Sequence, residues 1–299
     1  NHIKESYFNQ YFVLQDEKIS APKVYCSEFS LLTGNICLIT EHMSHCIEYE
    51  EGKIAGLPPH HLTLILKNMA LLHARYWKNS SGAMEKIFPI ENSTVYLFDS
   101  MVAKSWTETA RNILVQSWQV MNEYQTILHG DARIGNMMFP SESGKGRFVF
   151  IDWQAVRKGK AVYDLAYFML LSLTSDYRQR VEQESISAYY NYLAENGVKD
   201  YTKEELDDDY RHACLCVLVL LSLPFLSGEA SAEGEGTKVF AWGMNIWRER
   251  LQIKFTEFDY TWMANRYAIT EQQGKDAVAE MLGIIKTRLK QMRQEPTSN

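Results

Sequence analysis

The hydrophobic pattern divides the chain into a short front part of mixed periodicity and a long helical remainder. In "NHIKESYFNQYFVLQ" the residues Ile3, Tyr7, Phe8, Tyr11 and Phe12 form a stripe at helical spacing. "PKVYCSEFS" and "NICLITEHM" are rich in β-formers and are separated by "LLTG", which predicts an antiparallel pair. After Pro58 and Pro59, Leu62, Ile65, Leu66, Met69, Leu72 and Tyr76 repeat at three and four residues, a helix with proline at its start. The segment from Tyr96 to Tyr124 reads as mainly helical. "NMMF" and "RFVFID" flank "PSESGKG" and read as two short strands around a turn. From Asp164 onward the pattern is almost wholly helical, with Asp164 placed to cap "LAYFMLLSL" and also to steady the loop rather than to act as a ligand. Thr202 and Glu205 form a T-x-x-E capping box. Val278, Met281, Leu282, Ile285, Leu289 and Met292 mark a last amphipathic helix, and "SGEASAEGEGTK" reads as a flexible acidic loop.

Bulk properties narrow the function classes. The 299 residues suffice for one large domain or two unequal lobes. Net charge is −6 and no Lys/Arg cluster is present, so nucleic acid is excluded as the main partner. The most apolar run, "ACLCVLVLLSLPFL", is shorter than the roughly 20 residues a bilayer span takes, and Pro224 interrupts it. It predicts a buried core helix, not a membrane segment. Five cysteines without zinc spacing suit a reducing cytoplasm.

The chemistry concentrates in "LHGDARIGNMMF" and "FVFIDWQ". A carboxylate before the first strand (Asp131), an amide (Asn136) and a carboxylate ending the return strand (Asp152) can converge at one end of the hairpin. Two oxygen ligands and a nearby free carboxylate suit Mg²⁺, which is usually shared with substrate phosphates. Phosphoryl transfer needs those parts, with the carboxylate placed to accept the acceptor hydroxyl's proton.

"HGDARIGN", "FIDWQ" and "GKAVYDLAYF" together resemble the aminoglycoside phosphotransferase and choline-kinase-like superfamily. The Trp-Gln after Asp152 and the "DLAYF" ending are most similar to its ecdysteroid-kinase-like branch. H-G-D-x(4)-N alone would arise by chance in about one chain of this length in five hundred; the ordered company of Asp152, Asp164 and a hinge-like strand makes chance less adequate. The resemblance implies an α+β, protein-kinase-like two-lobe fold, with a small partly β N-terminal lobe and a large mainly helical C-terminal lobe. It implies transfer of the γ-phosphate of ATP or GTP, with Mg²⁺, to a hydroxyl of a small metabolite or xenobiotic. In that scheme Asp131 is the catalytic base, His129 braces its loop, and Asn136 and Asp152 bind metal. The adenine would lie against the backbone of Glu41, His42 and Met43. Glu5 matches the carboxylate that pairs the phosphate-binding lysine.

Each of these residues also has a plainer reading. Asp131 can satisfy turn amides, and Arg133 can sense phosphate or pair with a carboxylate. Glu5 can be an exposed helix residue. Trp153 can line the acceptor pocket or sit in the core. Glu204 to Asp209 can draw a cationic acceptor or form a solvated first helical turn. A complete member of the superfamily carries a glycine-rich strand-turn-strand and a lysine before the position of Glu5, where this sequence has four residues beginning with Asn1. Residues 1–43 are therefore expected to be a truncated remnant of the nucleotide-binding lobe with its hinge, and 44–299 the catalytic and acceptor-binding lobe. The competing function is a nucleotide- or metabolite-binding module without transfer activity. A protein-directed kinase fits less well, since Trp-Gln replaces the Phe-Gly of protein kinases.

Overall fold

The computed structural model describes residues 2–30, 32–49, 56–79, 106–123, 125–141, 143–220 and 235–294. Two compact units emerge, one of residues 1–90 and 122–210, the other of 91–121 and 211–299. The expected boundary after Met43 does not separate them, because residues 1–43 fall in the same unit as the loop bearing Asp131.

In the first unit, α1 (His2–Tyr11) packs on a hairpin of β1 (Val24–Phe29) and β2 (Ile36–Thr40), antiparallel as the β-rich runs predict. The hairpin leads into the hinge-like segment. There Glu41 accepts hydrogen bonds from Arg147 Nη1 (2.9 Å) and Nη2 (2.7 Å) and from the Lys23 amide (3.0 Å). Arg147 holds the Glu41 carboxyl down at about 2. A depressed carboxyl stabilises the fold above its ordinary range and loses that contribution as pH falls through about 2. Both side chains are partly exposed, so Glu41→Gln is expected to cost about 0.2–1 kcal/mol at pH 7 and less at pH 2, where the carboxyl is part protonated. Urea unfolding at the two pH values checks this.

α2 (Pro59–Arg75) starts on proline and buries Leu62, Ile65, Leu66, Met69 and Leu72. Sequence pattern alone missed three short strands. β3 (Cys46–Glu48) pairs with β5 (Met137–Pro140), which pairs in turn with β6 (Val149–Phe150). β4 (Thr126–Leu128) pairs with β7 (Arg157–Gly159). Strands of three residues carry too little alternation to read. α4 (Val162–Ser172) is buried at every position and makes the floor on which the loop bearing Asp131 rests. It begins before Asp164, so Asp164 is not the cap that the pattern predicts; its carboxylate faces the loop instead. α5 (Ser175–Glu195) packs on α2.

α6 (Lys203–Leu220) opens with the expected capping box. Glu205 donates its amide to Thr202 Oγ1 (3.1 Å), and its carboxylate accepts from the Thr202 amide (2.7 Å). Its acidic first turns are not wholly solvated: Asp209 is buried, 3.2 Å from Lys160 and accepting from the Tyr201 hydroxyl.

The second unit contains α3 (Glu108–Asn122), α7 (Glu235–Thr256), α8 (Tyr260–Tyr267) and α9 (Glu271–Gln294), with α9 burying Val278 and Met281 as its stripe predicts. The expected acidic loop is corrected at its end. Residues 235–238 belong to α7, while residues 227–234 lie outside the described residues. The expected helical stretch before Trp106 also lies outside them.

Candidate active site

The site is built on the turn after β4. Gly130 adopts φ +83, and a Cβ there would stand 2.2 Å from the Ala155 carbonyl oxygen, so only glycine lets the loop pass this closely. Two neighbouring groups hold the loop. His129 is buried, with Nε2 3.0 Å from the Ile151 carbonyl and Nδ1 accepting the Asp131 amide at 3.3 Å. Desolvation pushes its imidazole below the usual range. Both ring nitrogens are thus occupied by backbone, which makes His129 a brace and leaves it no lone pair for proton transfer.

Asp164 is the second support. Its Oδ2 accepts the His129 amide (2.6 Å) and its Oδ1 the Gly130 amide (2.9 Å), while His73 Nε2 lies 3.2 Å from Oδ2. Burial by itself would raise this carboxyl, but the hydrogen bond from His73 and the further donors outweigh it and hold it lowered.

The loop presents Asp131. Asn136 donates its Nδ2 to both the Asp131 backbone oxygen and Oδ2, each at 2.9 Å. Arg133 Nε also donates to Oδ2 at 3.2 Å. It lies equally far from Oδ1, an ion pair without hydrogen-bond geometry, and Oδ1 accepts no well-formed hydrogen bond among the described residues. Of the two readings of Arg133, the structure shows the carboxylate pair. Asn136 spends its amide nitrogen on Asp131, which leaves its Oδ1 as the atom for a cation.

Asp152 ends the return strand in the left-handed region, φ 64 and ψ 68. A non-glycine residue held there is strained, and such strain clusters at functional sites. Ile151 donates its amide to the Asn136 carbonyl at 2.9 Å, so the segments bearing Asn136 and Asp152 are joined directly. Among the described residues no group of three or more His, Cys, Asp or Glu side chains could hold a metal. One carboxylate and one amide oxygen make no complete cage, but they fit an ion that takes its remaining oxygens from phosphate and water.

Glu5 sits at this site: its Oε1 accepts the Trp153 amide at 3.2 Å. Trp153 is corrected. It is only 2 % exposed, stacked on Phe8 (4.5 Å between centroids) and against His129 (4.6 Å), with Nε1 donating to the Phe150 carbonyl. An indole buried on both faces fastens α1 to the catalytic loop and offers no surface to an acceptor. Of the residues expected to contact the base, Glu41 has its side chain taken up by Arg147.

Two residues at the site escaped sequence reasoning. Tyr167 lies beside Asp131, and burial first, then the neighbouring carboxylate, pushes its phenol well above the usual range. It stands three residues after Asp164 on α4, one helical turn along the same face, and that spacing was the available signal. His73, far off in sequence, gave none.

Comparison with known proteins bears on the fold. The chain has the fold of choline kinases and aminoglycoside phosphotransferases. It aligns with a choline/ethanolamine kinase family protein from Mesorhizobium loti at TM-score 0.52 and 11% identity, covering 96% of this chain and 83% of that one. With the GDP complex of aminoglycoside 2'-phosphotransferase-IIIa the TM-score is 0.50 at 15% identity, over 83% and 82% of the two chains. Residues 90–200 match the model of the ecdysteroid kinase-like family. An uncharacterized kinase-like protein of Caenorhabditis elegans is 29% identical over 86 residues, 28% of this chain and 23% of that protein, so the match spans under a quarter of the relative's length. Among the described residues no helix is long and apolar enough to cross a membrane.

Proposed function

We propose that the protein transfers the γ-phosphate of ATP or GTP to a hydroxyl group of a small molecule. The observation that carries this reading is the Asp131 carboxylate, with Oδ2 hydrogen-bonded by Asn136 and Arg133 while Oδ1, 3.2 Å from Arg133 Nε, has no hydrogen bond of good geometry among the described residues. A buried carboxylate oxygen held in this way is suited to accept a proton from an acceptor hydroxyl. As that hydroxyl oxygen bonds the γ-phosphorus, the bond to the β,γ-bridging oxygen breaks and the proton passes to Asp131. Asp152 and the Asn136 Oδ1 would hold Mg²⁺, which when bound supplies charge neutralisation on the phosphates. The backbone of Glu41, His42 and Met43 would contact the base. The kinship with small-molecule kinases, one of them solved with GDP, supports a nucleotide and a small acceptor.

Removing the charged ligand should weaken metal-dependent binding more than removing the neutral one. Asp152→Ala is therefore expected to lower nucleotide affinity in the presence of Mg²⁺ further than Asn136→Ala does. Calorimetric titration with and without Mg²⁺ checks it, and equal metal-independent affinity in all three proteins would sink the site. A nucleotide-consumption screen against hydroxylated metabolites tests the transfer itself; a protein that binds nucleotide yet consumes none with any acceptor is a binding module.

A further inference from the structure

The support beneath the catalytic loop continues one residue deeper, to α5. His73 Nδ1 lies 2.5 Å from the Tyr189 hydroxyl, and His73, Asp164 and Tyr189 are all wholly buried. We propose that Tyr189 is a positioning residue for the catalytic loop, acting by locking the buried His73 ring in the tautomer that donates to Asp164.

The Tyr189 hydroxyl has His73 Nδ1 as its hydrogen-bond partner among the described residues. Burial, then the charge of Asp164, raises its phenol well above the usual range, so it keeps its proton. That proton has one place to go, the lone pair of Nδ1. The ring hydrogen is then on Nε2, where it points at Asp164 Oδ2, 3.2 Å away. Asp164 in turn accepts the His129 and Gly130 amides, the two that precede Asp131. In the other tautomer the Nε2 lone pair would face the carboxylate, an uncompensated repulsion in a dry interior. The hydroxyl of a helix remote in sequence therefore selects the charge pattern under the base. The inference rests on the proposed function only for what the loop does once positioned.

The test is Tyr189→Phe, which keeps the ring and removes only the hydroxyl. Nitrogen-15 NMR of the wild-type protein is expected to show His73 protonated on Nε2 and bare on Nδ1, with that pattern lost in Y189F. Hydrogen exchange of the His129 and Gly130 amides should quicken at least about fivefold in Y189F, the low end for an orphaned buried acceptor. Glutamine at 73 presents an amide donor near the position of Nε2 and has no tautomer to choose, so adding Y189F to His73→Gln should leave exchange nearly unchanged. A wild-type ring protonated on Nδ1 or on both nitrogens overturns the inference. So does unchanged exchange in Y189F, a rise spread evenly through α5, or an equal rise on the His73→Gln background. These readouts need no substrate. Absence of phosphoryl transfer in the wild-type protein counts against the proposed function alone.

Discussion

Asp131→Asn is expected to reduce phosphoryl transfer by about a hundred- to ten-thousandfold, the range ascribed to a positioned general base, while leaving nucleotide affinity within about twofold. Asparagine keeps the size and preserves an acceptor for Asn136 and Arg133 on one side, so the loop should survive the change. What it loses is the basic oxygen facing the acceptor. The base acts on the acceptor hydroxyl and not on the nucleotide, so the loss should fall on kcat. Single-turnover transfer with the acceptor found by screening, beside a nucleotide titration, checks both halves. A variant that keeps near-wild-type turnover removes Asp131 from the chemistry.

Gly130→Ala should be the most damaging single methyl in the loop. The residue is at φ +83, and its added Cβ would collide with the Ala155 carbonyl at 2.2 Å and crowd Arg157 Nε at 3.1 Å. Arg157 already donates to the Gly130 carbonyl at 3.0 Å, so the backbone is gripped from both sides and has little room to shift. Positive φ and overpacking together are expected to cost about 2–5 kcal/mol. Gly144, at φ +73 with nothing within 4 Å of where a methyl would stand, isolates the backbone part, and Gly144→Ala should cost only about 1–2 kcal/mol. Urea midpoints of the two variants give the difference. Equal shifts would mean that the loop yields and that the close approach is not what requires glycine.

Local pattern was enough for the elements that carry their own signal. α2 begins on Pro59 and buries the residues its spacing selects, β1 and β2 pair as read, and the T-x-x-E box closes on itself. Each of these depends on interactions between residues a few positions apart, which sequence displays directly. The closeness of Asn136 to Asp131 was legible for a similar reason: a short turn leaves its polar residues little freedom to separate, and a polar group beside buried strands must be satisfied or used.

Tertiary structure decided the rest, because burial and partners depend on residues far apart in the chain. Trp153 follows Asp152 in sequence yet faces Phe8, and no local pattern reveals whether an indole beside a site lines it or props it from behind. The pattern reads Asp164 as a helix cap that also steadies the loop; the loop contact is present and the capping is not, since the helix begins before it. In the fold its oxygens are taken by amides of the catalytic loop and by His73 from α2. Asp209 belongs to an acidic run that a helix dipole alone would leave in water, but Lys160 and Tyr201 draw it into the interior. Hydrophobic spacing and turn chemistry determined where helices, strands and the reactive loop lie along this chain. Which of its polar side chains act and which brace was set by the dry interior, where every buried donor and acceptor had to find its partner across the fold.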